Sequence, residues 1–400
     1  MNQSSDLGNL SPNAFALSDE QMVLRDEARR YFMAQFFPLQ PRMDDESWWP
    51  EEAFPTLGGM GYLGLTIPEE YGGSGLDYLT AGLISEVMAE ANPAIAWSAT
   101  GHSNLCLDNI FRNGNEAQRR KYVPKMCTGE YVGALAMTEP GAGTDAIGSM
   151  RSRARLDGDH YILNGGKIFI SNGPIADVML VYAKTDPDAG NQGVSAFIVE
   201  KDFPGFSVAQ KLDKMGYRGS PLGELVFEDC KVPAENLLGQ ENRGVAVMMS
   251  GLDMERAYVT TISLGTAQRA LDISIEYAKT REQFGKPIAS FQLIQAKLAE
   301  MYIRLEAART LAYRGLAACA AMDTREAGRG DIHKLAAASV HFAAEAATTI
   351  MDHAVQIHGG GGYMRDTEVN RLYRTAKIME IAAGTQEIRK LIIAGELLKD

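Results

Sequence analysis

The chain has 400 residues, 46% of them hydrophobic and 22% charged, and a formal net charge of -12 at pH 7. That length exceeds a single core and predicts two or three domains, while the acidic balance argues against a nucleic-acid surface or an anionic membrane as partner. Cys106, Cys127, Cys230 and Cys319 stand far apart with no C-x-x-C pair, which argues against disulfides and structural zinc and for a reducing compartment. The first residues, MNQSSDLGNLSPNAF, carry neither a basic-then-apolar leader nor the arginines of a transit peptide, and no membrane-length apolar run follows. These features predict a soluble cytoplasmic protein, or a mitochondrial-matrix one whose transit peptide has been removed, with no membrane insertion.

Taken in order, residues 1–16 read as a disordered arm. Ser18 and Gln21 form a capping box, so a helix should start there and run towards Phe37, before Pro38 and Pro41. A short helix near Pro50–Leu57 ends in Gly58-Gly59, and IPEEYGGSGLD (Ile67–Asp77) is a loop. Tyr78–Ala91 is helical by pattern and closes at Asn92-Pro93. Asn115 and Gln118 repeat the capping signature before a helix ending near Gly129. From Tyr131 to about Gly239 short β-branched and aromatic runs, such as HYILNG, DVMLVYAKT and VSAFIVE, alternate with turns at Asp157-Gly158, Asn164-Gly165 and Asn172-Gly173. That pattern predicts an antiparallel β domain. From Glu241 the pattern is helical again, with breaks at Gly285-Lys-Pro, Ala327–Gly330 and Gly359–Gly362, and predicts a four-helix bundle. The expected fold class is thus α+β: an N-terminal helical domain (1–130), a middle antiparallel β domain (131–240) and a C-terminal four-helix bundle (241–400).

Within the last part, Gly251–Pro287 reads as one long helix. It has a carboxylate, Glu255, near its start and Arg281 and Phe284 at its end. On its own this stretch fits an amphipathic core helix with a solvated glutamate.

Three separated motifs change that reading. LAMTEPGAGTDAIGSM (Leu135–Met150), KTREQFGKPIASFQLIQAKLAEM (Lys279–Met301) and QIHGGGGYMRD…IAAGTQEIRK (Gln356–Lys390) stand in this order and spacing. Together they resemble the acyl-CoA dehydrogenase family over nearly the whole chain. GHSNLC, RNGNEAQ and SGLDMER resemble its isovaleryl-type branch. The resemblance implies α,β-dehydrogenation of an acyl-CoA thioester, in which a carboxylate removes the α proton and the β hydrogen leaves as hydride to N5 of FAD. Most of the family carries its base just before the Gly-Thr of the last motif, where this chain has Ala383. The isovaleryl-type branch carries it instead in the LDxER segment, and Glu255 stands there as the implied base.

The same resemblance implies the remaining site. Leu135, Met137 and Thr138 would meet the flavin, with Thr144 near flavin or CoA phosphates. Phe169, Ile170 and Ser171 would cover the ring, Phe169 replacing the family's usual Trp. Arg281, Phe284 and Gln292 would reach a neighbouring subunit's FAD, with Arg281 on the pyrophosphate, and Gln356, Gly359 and Gly360 would give the adenosine side of FAD close backbone approach. Thr385, Gln386 and Glu387 open a helix whose N–H groups can face the cofactor. Asp253, Arg256, Ala383 and Gly384 would hold the thioester, and the Ala383 N–H would donate to its oxygen. Asn191 and Gln192 match positions near the CoA nucleotide, one of them usually basic in the isovaleryl-type branch. Ala246 replaces a larger aromatic, which leaves room for a bulkier acyl group such as a terpenoid-derived one. An electron-transfer flavoprotein as acceptor and a homotetramer are implied as well. The six histidines show no metal-ligand spacing, and His358 reads as a packing or hydrogen-bonding residue. Competing readings are a flavin oxidase or monooxygenase, or a DNA-binding protein, on the same fold.

Overall fold

The computed structural model describes residues 17–319 and 330–399. The expected arm at 1–16, and most of the break at Ala327–Gly330, lie outside the described residues. Helices α1 (Asp19–Gln35), α2 (Gln40–Glu46), α3 (Ala53–Gly59), α4 (Tyr78–Ala91), α5 (Pro93–Thr100), α6 (Asp108–Asn113) and α7 (Glu116–Cys127) come first. The capping boxes are in place. Ser18 Oγ accepts from Gln21 N at 3.1 Å and Asn115 Oδ1 from Gln118 N at 2.9 Å, and each Gln side chain returns to the cap N–H.

One element has no counterpart in the sequence reading. Past Asn92-Pro93 the chain turns directly into α5, then a π-helical stretch (Gly101–Leu107), then α6. A tertiary contact holds that irregular stretch. The buried His102 accepts from Gly133 N–H at Nδ1 (2.8 Å) and donates from Nε2 to the Met126 carbonyl (3.0 Å). Burial pulls its imidazole down to about 4, so the ring stays neutral.

Strands β1 (Gly133–Ala136), β2 (Arg153–Asp157), β3 (His160–Ser171), β4 (Val178–Lys184), β5 (Val194–Glu200), β6 (Phe206–Lys211), β7 (Leu222–Pro233) and β8 (Leu237–Leu238) form one sheet in the order β6-β7-β3-β2-β4-β5-β8, with β1 on β4. The expected antiparallel character holds for the hairpins. It fails where β1 pairs in parallel with β4 (Gly133↔Val178 to Ala136↔Val181) and where β2 meets β4 at Arg153↔Lys184. Parallel neighbours are far apart in the chain, so no turn residue announces them.

The last part contains α8 (Gly244–Thr280), a two-stranded hairpin of β9 (Glu282–Gln283) and β10 (Lys286–Pro287), α9 (Gln292–Cys319), α10 (Gly330–His358), α11 (Gly360–Tyr363), α12 (Glu368–Ala376) and α13 (Gln386–Leu397). Helix α8 begins before the expected Gly251 and stops at Thr280. Every residue from Asp253 to Ala267 is buried. A helix buried on all sides is the central element of a bundle, and α4, α9 and α10 pack around α8. Its crossing with α4 depends on Gly265, where an added Cβ would lie 2.0 Å from the Glu86 carbonyl oxygen.

Candidate active site

The buried middle of α8 begins with three charged residues in a row of four: Asp253, Glu255 and Arg256, each under 10% exposed. Burial in the bundle lifts the Glu255 carboxyl from its ordinary 4.5 to about 7, against the opposing pull of the Arg256 and Arg389 charges. At neutral pH that lift costs about 3 kcal/mol of folding free energy. A raised carboxyl binds its proton more tightly in the folded state, so this cost is absent below pH 4.5 and grows as pH rises to 7. Asp253 is paired within the protein. Its Oδ1 lies 2.5 Å from His333 Nδ1 and 3.5 Å from Arg256 Nη1.

The second wall is the segment between α12 and α13. Arg256 Nε donates to the Ala383 carbonyl at 3.3 Å. Ala383 sits at φ 56° and Gly384 at φ 90°, and among the described residues no protein acceptor takes either N–H. Thr385 caps α13, its Oγ1 accepting from Ile388 N at 3.4 Å. The segment is gripped from inside by Arg389, which has no exposed surface. Its guanidinium donates to the carbonyls of Met379 (2.8 Å) and Ala382 (2.5 Å) and to Gln386 Oε1 (2.9 Å). Burial and the neighbouring Arg256 charge lower its pKa to about 10. Glu255, Arg256 and Gln386 thus surround Arg389, a cation that the sequence reading did not single out, and Asp253, Ala383 and Gly384 join them through Arg256. A signal existed: an arginine in the first turn of a helix opposes the dipole and calls for another partner.

The third wall is the end of β1. Leu135 and Met137 share a hydrophobic cluster with Val247, Met248 and Leu252 of α8. The end of β3 lies alongside, since Ile168 N–H donates to the Thr138 carbonyl at 2.9 Å. Ile170 is buried, Ser171 Oγ accepts from Trp97 Nε1 at 3.0 Å, and Phe169 is held at φ 60° with 62% of its surface exposed. An exposed aromatic beside a hydroxyl and unpaired backbone donors fits a planar ring with a polar edge, which is what a flavin presents.

Four further expected residues lie at the surface. Thr144, Asn191, Gln192 and Ala246 are exposed, Ala246 at the first turns of α8 and Asn191-Gln192 in the turn before β5. Six more lie at the opposite end of the bundle. Arg281 caps α8, Phe284 is 92% exposed at the hairpin tip with φ 54°, and Gln292 opens α9. Gln356, Gly359 and Gly360 adjoin that end, where Tyr277 stacks on His358 with centroids 4.3 Å apart. The helix rise from Glu255 to Arg281 is roughly 39 Å. These residues and Glu255 cannot serve one ligand within one subunit.

A carboxyl that burial lifts to about 7, one residue from the Arg256 that grips the 383–384 segment with its unpaired N–H groups, can remove a weakly acidic proton, and such N–H groups can stabilise the anion that forms. Among the described residues no cluster is placed to hold a metal and no helix is long and apolar enough to cross a membrane.

Comparison with known proteins points the same way. The acyl-CoA dehydrogenase N-terminal, middle and C-terminal domain families match residues 18–130, 134–230 and 242–398. Mitochondrial isovaleryl-CoA dehydrogenase of Pongo abelii is 47% identical over 94% of this chain and 88% of its own length. Mitochondrial 2-methylacyl-CoA dehydrogenase of Solanum tuberosum is 45% identical over 96% and 92%. Butyryl-CoA dehydrogenase of Megasphaera elsdenii superposes with a TM-score of 0.91 at 38% identity, over 96% of this chain and 100% of that one. The chain belongs to the acyl-CoA dehydrogenase family. It is an oxidoreductase acting on acyl-CoA.

Proposed function

We propose that the chain oxidises a short branched acyl-CoA thioester, such as isovaleryl-CoA, to the 2-enoyl-CoA, with Glu255 as the base. The observation that carries this reading is a carboxyl only 8% exposed on the central helix, while the position before Gly384 holds an alanine. Glu255 takes the α proton, and burial matches its proton affinity to neutral pH. The unpaired N–H of Ala383 donates to the thioester oxygen and stabilises the developing enolate. Asp253 and Arg256 hold the thioester and pantetheine, and Thr144, Asn191, Gln192 and Ala246 serve the CoA and acyl side. Bound FAD supplies the hydride acceptor. Leu135, Met137, Thr138 and Phe169–Ser171 would hold its ring, with Thr385–Glu387 at a helix N-terminus. Arg281, Phe284, Gln292, Gln356, Gly359 and Gly360 would hold the FAD of a neighbour, which calls for a homotetramer. An electron-transfer flavoprotein would take the electrons onward.

Two relatives of nearly equal identity carry isovaleryl and 2-methylacyl names, so the acyl group is tested directly. Isovaleryl-, 2-methylbutyryl-, butyryl- and longer branched acyl-CoA esters are mixed anaerobically with the FAD-loaded chain. Fastest flavin bleaching by a short branched ester supports the reading. Bleaching by long esters alone contradicts it.

A further inference from the structure

A second buried ion pair lies beside the flavin-facing strand end, away from the base. Lys167, with no exposed surface, points its Nζ at Glu139 Oε1 (2.8 Å) and at the Met137 carbonyl (3.1 Å). Glu139, 5% exposed, also accepts the backbone N–H groups of Arg151 (2.6 Å) and Ser152 (3.0 Å). Three segments therefore meet at one pair: the strand end 137–138, the loop 139–152 that carries Thr144, and the start of the run that leads through Ile168 to Ser171.

The arrangement has a direction. The Met137 carbonyl is taken by Lys167 and the Thr138 carbonyl by Ile168 N–H. Among the described residues no protein acceptor takes the N–H of Met137 or Thr138. The strand end thus has its peptide acceptors engaged within the protein and its peptide donors left for a ligand. Burying two charges is costly unless geometry and further hydrogen bonds satisfy both, and a lysine without exposed surface is rare in a strand. Apolar residues could fill the same volume, so retention of the pair calls for a purpose beyond packing.

We propose that the Lys167–Glu139 pair is a positioning device for FAD. It locks the 137–138 peptides so that their N–H groups meet the flavin's polar edge, and it couples that edge to the Phe169–Ser171 face. Neither residue touches the reacting atoms. The inference rests on the reading that this strand end holds FAD.

The test compares the full-length wild type with Lys167→Met, Glu139→Gln and the double variant. FAD dissociation from the apoprotein is measured by flavin fluorescence, the bound flavin by visible circular dichroism, and apoprotein folding by thermal melting. Expected are a tenfold or greater loss of FAD affinity and an altered flavin dichroism in Lys167→Met. The double variant should lose no more, because the two residues act as one unit, and its apoprotein should melt near the wild type. Glu139→Gln, nearly isosteric, should change affinity and dichroism in the same sense and keeps the test readable if Lys167→Met does not fold. Wild-type affinity and dichroism in the variants, with only the melting temperature lowered, would make the pair a packing element and overturn the proposal. A wild-type chain that holds no FAD would overturn the functional reading along with it.

Discussion

Replacing Arg389 by methionine separates the two tasks its position gives it. The side chain is wholly buried and its guanidinium satisfies the carbonyls of Met379 and Ala382. Methionine fills much of the volume but leaves both acceptors unpaired, at about 1–3 kcal/mol each. A net loss of about 2–5 kcal/mol is expected, read by urea unfolding of the FAD-loaded chain. The second effect is electrostatic. Arg389 is one of two cations that oppose the burial-driven rise of Glu255, whose pKa is about 7. Without it the carboxyl holds its proton to higher pH. The base must be deprotonated to act, so kcat/KM falls as pH drops through that pKa. With Glu255 as the proposed base, the acid limb is expected near 7 in the wild type and should move upward in Arg389→Met. It should stay close to 7 in Arg389→Lys, which keeps the charge. An acid limb that stayed put or moved down in the methionine variant would refute the coupling between Arg389 and Glu255.

Two backbone predictions follow from the same walls. Gly265→Ala pushes a methyl group against the Glu86 carbonyl, 2.0 Å away, and neither α4 nor α8 can yield locally. It should cost about 2–4 kcal/mol in thermal melting, and a near-neutral result would mean that the helices do not cross so closely. Ala383→Gly relieves a left-handed alanine at φ 56° and should be neutral or stabilising by up to about 1 kcal/mol. A clear destabilisation would show that Ala383 does not adopt that conformation.

Much of the scaffold was legible because its signals are local. The capping boxes at Ser18 and Asn115, the limits of α4 and the Asp157-Gly158 hairpin turn depend on neighbours within a few residues, whereas the turn expected at Asn164-Gly165 falls inside β3, where Gly165 sits at a register shift against β7. What was missed depends on distant partners. The π-helical stretch is held by His102 through Met126 and Gly133, and the parallel placement of β1 on β4 has no turn to announce it. The site divides in the same way. Glu255 could be singled out only through the resemblance and the alanine at 383, because its burial comes from α4, α9 and α10 packing around α8. Lys167 stands in an apolar run and Arg389 in a helix's first turn, each against its local preference. Such conflicts mark residues with a tertiary task.

The central claim is that Glu255 is the base. The direct measurement is anaerobic stopped-flow mixing of FAD-loaded Glu255→Gln with the acyl-CoA that reduces the wild type fastest. Glutamine keeps the shape and removes the proton acceptor. The variant should retain FAD and bind the ester, yet bleach its flavin about 10³-fold more slowly or not at all. Bleaching at a rate near the wild type would place the base elsewhere.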